Sequence, residues 1–198
     1  MKTLFFALLL TLGCQADKKL NDDTAAETKG TVEVLHPDGV IADADCQHIN
    51  VGDKACNFRL LDQNEEIWEL YDHLGDVIVL DFSTVWCGPC QIAGHHTQTL
   101  QDNYQSQGVQ IVTVLIDGPT GGVAPTPEDI TEWVTSHNIT TAPILQGSRD
   151  KMFDSLGIEG YIIGAYPTYV YIGRDMKFYK AHVGYSDEYV RQTIEEGL

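Results

Sequence analysis

The apolar run Val77-Ile78-Val79-Leu80-Asp81-Phe82 leads almost directly into Trp86-Cys87-Gly88-Pro89-Cys90, and this junction constrains the chain more than any other stretch. Taken as a buried strand followed by a helix beginning at Cys90, it puts Cys87 in the turn where helix amides point outward and the dipole favours an anion. Such a site lowers a cysteine pKa from about 8.5 into the range of about 3.5–7.5, so much of Cys87 is expected to be thiolate near neutral pH. Cys87 is therefore the expected nucleophile of thiol–disulfide exchange. Cys90, one turn on and more buried, is the expected resolving thiol. Gly88 and Pro89 hold the sulfurs within reach, and Trp86 flanks them. A zinc site would need a second Cys pair or a His cluster, whereas Cys46 and Cys56 are ten apart. A purely structural disulfide would gain little closure entropy from so small a loop.

Asp81 is costly to bury unless it is neutral, paired or hydrated. Buried, its pKa rises and it suits proton transfer; at a strand end it simply faces water. Downstream, Val109–Ile116 is apolar enough for a second central strand in a parallel sheet. Asp117–Thr126, rich in Gly and Pro, is a loop. Thr126-Pro127-Glu128-Asp129 then opens a helix to about His137, with cap, first-turn proline and early acids in order. Ala142–Leu145 reads as a short strand, Asp150–Leu156 as a short helix and Gly157–Ala165 as a loop. Within and after that loop, Tyr161, Ile162, Ile163 and Tyr166 form either an apolar lip beside the site or ordinary packing. Tyr169–Ile172 and Phe178–Val183 form a hairpin turning at Gly173-Arg174-Asp175, and Ser186 caps a closing helix to Glu196. Upstream, Thr31–Asp62 carries strand or hairpin stretches around Gly39 and Gly52, and Ile67–Leu70 is a further strand. Gln91–Gln107 is the helix after the cysteines, with Gly94 expected to interrupt its regularity. Strands alternating with helices, then a hairpin and a helix, predict a three-layer α/β/α fold.

The formal charge of -17 over 198 residues argues against nucleic acid and anionic lipid surfaces as direct partners. Met1-Lys2 followed by the apolar Leu4–Leu12 reads as a targeting segment, too short for a bilayer span of about 20 residues. Gln15–Gly30 is polar and reads as a tether, which leaves 31–198 for the domain.

Val79-Leu80-Asp81-Phe82 with Trp86-Cys87-Gly88-Pro89-Cys90 resembles the active-site strand and turn of thioredoxins. Val51-Gly52-Asp53-Lys54-Ala55, then Phe58-Arg59-Leu60-Leu61-Asp62, resembles the opening of the TlpA-like, ResA-like and redoxin branch, and Tyr166-Pro167-Thr168 resembles its cis-proline segment. The resemblance, over roughly residues 50–195, implies a thioredoxin fold with a mixed central sheet and an N-terminal β-hairpin extension. It implies Asp81 as a proton shuttle to Cys90 and Pro167 as the residue that docks client backbone, with Tyr166 and Thr168 supporting it. From the residues alone, Pro167 is only a turn or strand-entry proline, because about 5–6% of X-Pro bonds are cis. Two departures stand out: Val109–Asp117 lacks the lysine many thioredoxins place near the buried acid, and His95 replaces a helix-kinking proline. Leu12-Gly13-Cys14 resembles a bacterial lipoprotein signal with Cys14 as the lipidated residue, although Thr11 departs from its usual leucine. Gln15 is compatible with outer-membrane sorting. With Cys14 lipidated, Cys46 and Cys56 remain, and in an exported protein they are expected to pair, as a structural disulfide or a second redox relay.

Together these predict a lipid-anchored, periplasm-facing thiol–disulfide oxidoreductase of the bacterial cell envelope, acting on protein thiol or disulfide clients. The family implies electrons from a membrane thiol reductant and needs no cofactor or metal. Two rival readings are a thiol peroxidase, from Thr84 three residues before Cys87, and a Cu(I) chaperone using Cys87, Cys90 and His95 or His96.

Overall fold

Eight consecutive buried residues, Val77–Thr84, form the strand on which the rest of the fold is laid. In the computed structural model, residues 39–40, 49–152 and 160–198 are described. The expectations for residues 1–30, Cys14 and Cys46 lie outside them. In chain order the elements are β1 (Gly39–Val40), β2 (Phe58–Leu61), β3 (Ile67–Glu69), β4 (Val77–Thr84), α1 (Gly88–Tyr104) and β5 (Val109–Asp117). They continue with α2 (Pro127–Ser136), β6 (Ile144–Gln146), α3 (Arg149–Met152), β7 (Thr168–Ile172), β8 (Phe178–Val183) and α4 (Asp187–Gly197).

The central sheet runs β6-β5-β4-β7-β8. β4, β5 and β6 are parallel, while β7 and β8 join antiparallel. Right-handed crossovers from β4 to β5 and from β5 to β6 put α1 and α2 on the same face. Val190 and Ile194 of α4 join Val77, Val79, Ala93 and Leu100 there. The opposite face carries Ile78, Leu80 and Phe82, packed under Phe58, Leu60 and Trp68 of the small antiparallel sheet β1-β2-β3 and Met152 of α3. The strand period of two thus sorts β4 cleanly, with Asp81 and Ser83 on the α1 face.

The mixed sheet flanked by helices agrees with the expected layering, and the local differences have physical causes. The N-terminal hairpin is β2 with β3, in register Arg59↔Glu69 to Leu61↔Ile67. Its turn is closed by Asp62, whose Oδ1 accepts from the amides of Asn64 and Glu66. Leu70 already belongs to the 3₁₀ turn Leu70–His73. Gln63, beyond β2, closes the outer edge of the sheet by donating to Ala142 O and accepting from Ile144 N. The expected break in α1 at Gly94 is absent, because the glycine serves helix packing instead. A Cβ there would stand 2.6 Å from His137 Cδ2 and 2.9 Å from Trp133 Cζ2. The cap of α2 is the reciprocal pair of Thr126 and Asp129, and Ser186 caps α4.

Candidate active site

α1 begins where β4 delivers it, and Cys87 is its N-cap, with extended backbone and Pro89 in the first turn. Its Sγ accepts from Cys90 N at 3.3 Å, which satisfies one of the orphan amides of the helix start. Cys87 and Cys90 are joined as a disulfide. Cys87 is 5% exposed and Cys90 is sealed at 0%, within a cluster of Leu115, Ile130, Trp133 and Ile144. An incoming sulfur therefore meets Cys87 first. Cys87 Sγ also lies 3.5 Å from the carbonyl oxygen of Tyr166, to which a reduced thiol would donate. The Tyr166–Pro167 peptide is cis. Pro167 O accepts from Gly184 N at 2.8 Å, and Gly184 holds φ +90, a conformation that a side chain would strain. Thr168 Oγ1 donates to Ala165 O at 2.7 Å and opens β7. The adjoining ends of β4 and β7 thus bring Cys87, Cys90, Tyr166, Pro167 and Thr168 to one end of the sheet.

Asp81 is buried on the α1 face of β4, between Thr113 of β5 and Tyr169 of β7 in direct register. Thr113 fills the strand beside it where a lysine is lacking. Ser83 Oγ donates to Asp81 Oδ1 at 2.7 Å, and Oδ2 has no partner. Burial pushes the carboxyl up to about 7, against the pull of the Ser83 and Tyr169 hydroxyls. The water-facing alternative for Asp81 is thereby removed.

A second buried acid escapes sequence reasoning. Asp117 ends β5, and its carboxylate takes a fork from Arg149, Nε to Oδ1 at 3.1 Å and Nη2 to Oδ2 at 2.9 Å. Trp86 Nε1 donates to the same Oδ2 at 3.2 Å. Although burial pushes the Asp117 carboxyl up, the donors on Arg149, the Gly122 backbone and Trp86 hold it below the usual carboxylate range. The signal was available: like Asp81, Asp117 is an acid in an apolar strand. Nothing in the Gly147-Ser148-Arg149 stretch marks the distant partner.

Lip and packing divide the four apolar residues between them. Tyr161 and Ile163 are core residues. Tyr161 sits edge-on to Phe58 and Phe178, and its hydroxyl donates to Cys56 O at 2.7 Å. Ile162 is exposed and Tyr166 half-buried, so these two remain at the surface. Cys56 is buried and disulfide-bonded, while Cys46, its expected partner, lies outside the described residues. His95 packs on His137 and His96 on Tyr185, which sends the two rings to different neighbours. Among the described residues no group of three or more His, Cys, Asp or Glu is placed to hold a metal. No helix of those residues is long and apolar enough to cross a membrane.

A mixed sheet carrying a helix-capping Cys-x-x-Cys pair opposite a cis-proline defines a thioredoxin-fold dithiol protein. The sequence profile of the AhpC/TSA family matches residues 51–180, and the chain belongs to that family. It is 29% identical to the thiol-disulfide oxidoreductase ResA of Oceanobacillus iheyensis, over 62% of this chain and 59% of that protein. With ResA of Geobacillus thermodenitrificans it shares 28% identity over 74% of this chain and 78% of the relative. Among solved structures, a putative thiol:disulfide interchange protein DsbE from Chlorobium tepidum superposes with a TM-score of 0.62 at 25% identity, covering 75% of this chain and 98% of that one. An exposed lipoprotein thioredoxin from Streptococcus pneumoniae gives 0.58 at 23%, covering 71% and 98%, and supports the fold.

Proposed function

We propose that the chain is a thiol–disulfide oxidoreductase that reduces disulfides of exported proteins. The observation that carries this reading is Cys87 capping α1, bonded to a sealed Cys90 and set against the Tyr166 carbonyl. In the reduced protein, Cys87 thiolate attacks a client sulfur, forming the mixed disulfide and releasing one client thiolate. Cys90 then attacks Cys87, the second client thiolate leaves, and two electrons have passed to the client. Asp81, titrating near neutrality, accepts the Cys90 proton, and the client backbone lies along Tyr166-Pro167-Thr168. No prosthetic group enters these steps. A membrane thiol reductant restores the dithiol. Lipidation at Cys14 and the tether 15–30 hold the domain 31–198 at the periplasmic side of the envelope, with Cys46–Cys56 as a structural disulfide. The names of the ResA and DsbE relatives support the chemistry.

Titration in glutathione or dithiothreitol buffers, with alkylation and mass spectrometry reporting each pair, tests the reading. A reversible Cys87/Cys90 couple near about -270 mV is expected, as for thioredoxin; one near about -120 mV would make the protein an oxidant. C87S should abolish exchange and C90S should trap the mixed disulfide; an irreversible pair overturns the mechanism. One observation favours a second reading, thiol peroxidase: the Thr84 hydroxyl, three residues before Cys87, is buried with no partner. Peroxide consumption by the reduced protein, faster than its exchange with disulfides, would select that reading.

A further inference from the structure

The two aromatic rings that flank Cys87 share one support. Trp86 is 49% exposed and precedes the nucleophile; its indole N–H is bound to Asp117. Tyr166 supplies the carbonyl beside Cys87 Sγ, and its ring stands edge-on to Trp86 with centroids 6.2 Å apart. Arg149 reaches both. Its fork holds Asp117, and its guanidinium carbon lies 6.0 Å from the centroid of the Tyr166 ring. Asp117 is fully buried, whereas the Arg149 side chain is 46% exposed, so the arginine reaches inward from the rim of the site. Arg149 touches neither sulfur.

We infer that Arg149 is a positioning residue, which sets the Trp86 and Tyr166 rings beside Cys87 for extended polypeptide disulfides rather than for disulfides in general. This rests on the exchange reading above. Without the fork, Asp117 keeps only the Trp86 and backbone donors, and the Tyr166 ring loses its cation. A protein client must lay its backbone against these rings. A small aromatic disulfide needs only access to Cys87 Sγ. The loss should therefore fall on binding of the large substrate.

The test is single-turnover oxidation of the reduced full chain, with insulin as the protein disulfide and 5,5′-dithiobis(2-nitrobenzoate) as the small one. For R149L, the half-saturating insulin concentration should rise about five- to tenfold while the maximal rate and the small-disulfide rate stay within about twofold. R149K keeps the charge but loses the fork, and should fall between R149L and wild type. The Trp86 indole N–H resonance should shift in both variants. An insulin half-saturation within about twofold of wild type, or equal losses on both substrates, overturns the inference. If R149L does not fold, R149K decides by the same criterion. If the wild type reacts with neither disulfide, the exchange reading itself fails and this inference with it.

Discussion

Asp81 and Asp117 sit on adjacent parallel strands, both buried, and they end in opposite electrostatic states. Asp81 has one hydroxyl bonded to Oδ1 and an orphan Oδ2, so burial dominates and the group titrates near 7. Asp117 is also closed to solvent, yet the Arg149 fork, the Gly122 amide and the Trp86 indole keep it an anion. Closure to solvent alone does not decide the charge of a carboxyl: Asp81 lies deeper and has few partners, whereas Asp117 lies shallower and has many. One acid is thereby free to move a proton, and the other is fixed as a support.

The largest expected effect comes from removing the titrating acid. Asp81 has a folded pKa raised above its unfolded value. Its contribution to stability is therefore fully present below about 3.8 and is lost as pH rises through about 7. Across that window the wild type loses on the order of 4 kcal/mol from this group, at about 1.36 kcal/mol per unit. D81N should lose none of it, and should be the more stable protein at pH 9 in urea denaturation. Parallel stability curves for the two proteins would break the comparison. The same variant should slow single-turnover exchange at pH 7 by about 10²-fold or more, if Asp81 is the proton acceptor.

That comparison was half legible in the sequence. Cys87-Gly88-Pro89-Cys90, the apolar runs of β4 and β5, and the caps Thr126 and Ser186 are local signals, decided within a few residues. Asp81 stands out because it interrupts an apolar run, whereas Asp117 reads as a loop residue because it ends one. Its partner is 32 positions away, and only the parallel pairing of β5 with β6 brings the chain after β6 back to it. By contrast the N-terminal hairpin is legible, and only its bounds shift: Ile67–Glu69 folds back on Phe58–Leu61 across the Asp62 turn. Gly94 reads as a helix breaker along the sequence and as a contact with Trp133 and His137 only in three dimensions. Likewise Tyr161 and Ile163 read equally as a surface lip or as packing until the core closes around them.

A middle-sized effect should come from converting Asp117 toward the condition of Asp81. Its folded pKa is lowered, so its stabilisation is present above the unfolded value and is lost as pH falls through the folded one. R149L removes the fork and leaves a buried carboxylate short of donors, at roughly 1–3 kcal/mol at pH 7 after allowing for the half-exposed arginine. Because the unpaired acid now prefers its neutral form, that deficit should shrink toward pH 4, the reverse of the wild-type trend. D117N should cost a similar amount, and D117N/R149L no more than the larger single loss, since both remove one interaction. Additive losses in urea denaturation would show that Arg149 and Asp117 act separately.

The smallest and most discriminating change is Ser83→Ala. The Ser83 hydroxyl donates to Asp81 Oδ1 at 2.7 Å and is one of the two groups holding the carboxyl down against burial. Its loss should carry the Asp81 midpoint above about 7, by roughly one unit, and deepen the alkaline loss of stability by about 1 kcal/mol. The carboxyl carbon resonance of Asp81, followed from pH 5 to pH 10, reads this directly. An unchanged midpoint would mean that the Tyr169 hydroxyl, which also acts on Asp81 from β7, carries the opposition alone. The pH range of proton transfer would then be set by the β4–β7 pairing and not by Ser83, two residues along Asp81's own strand.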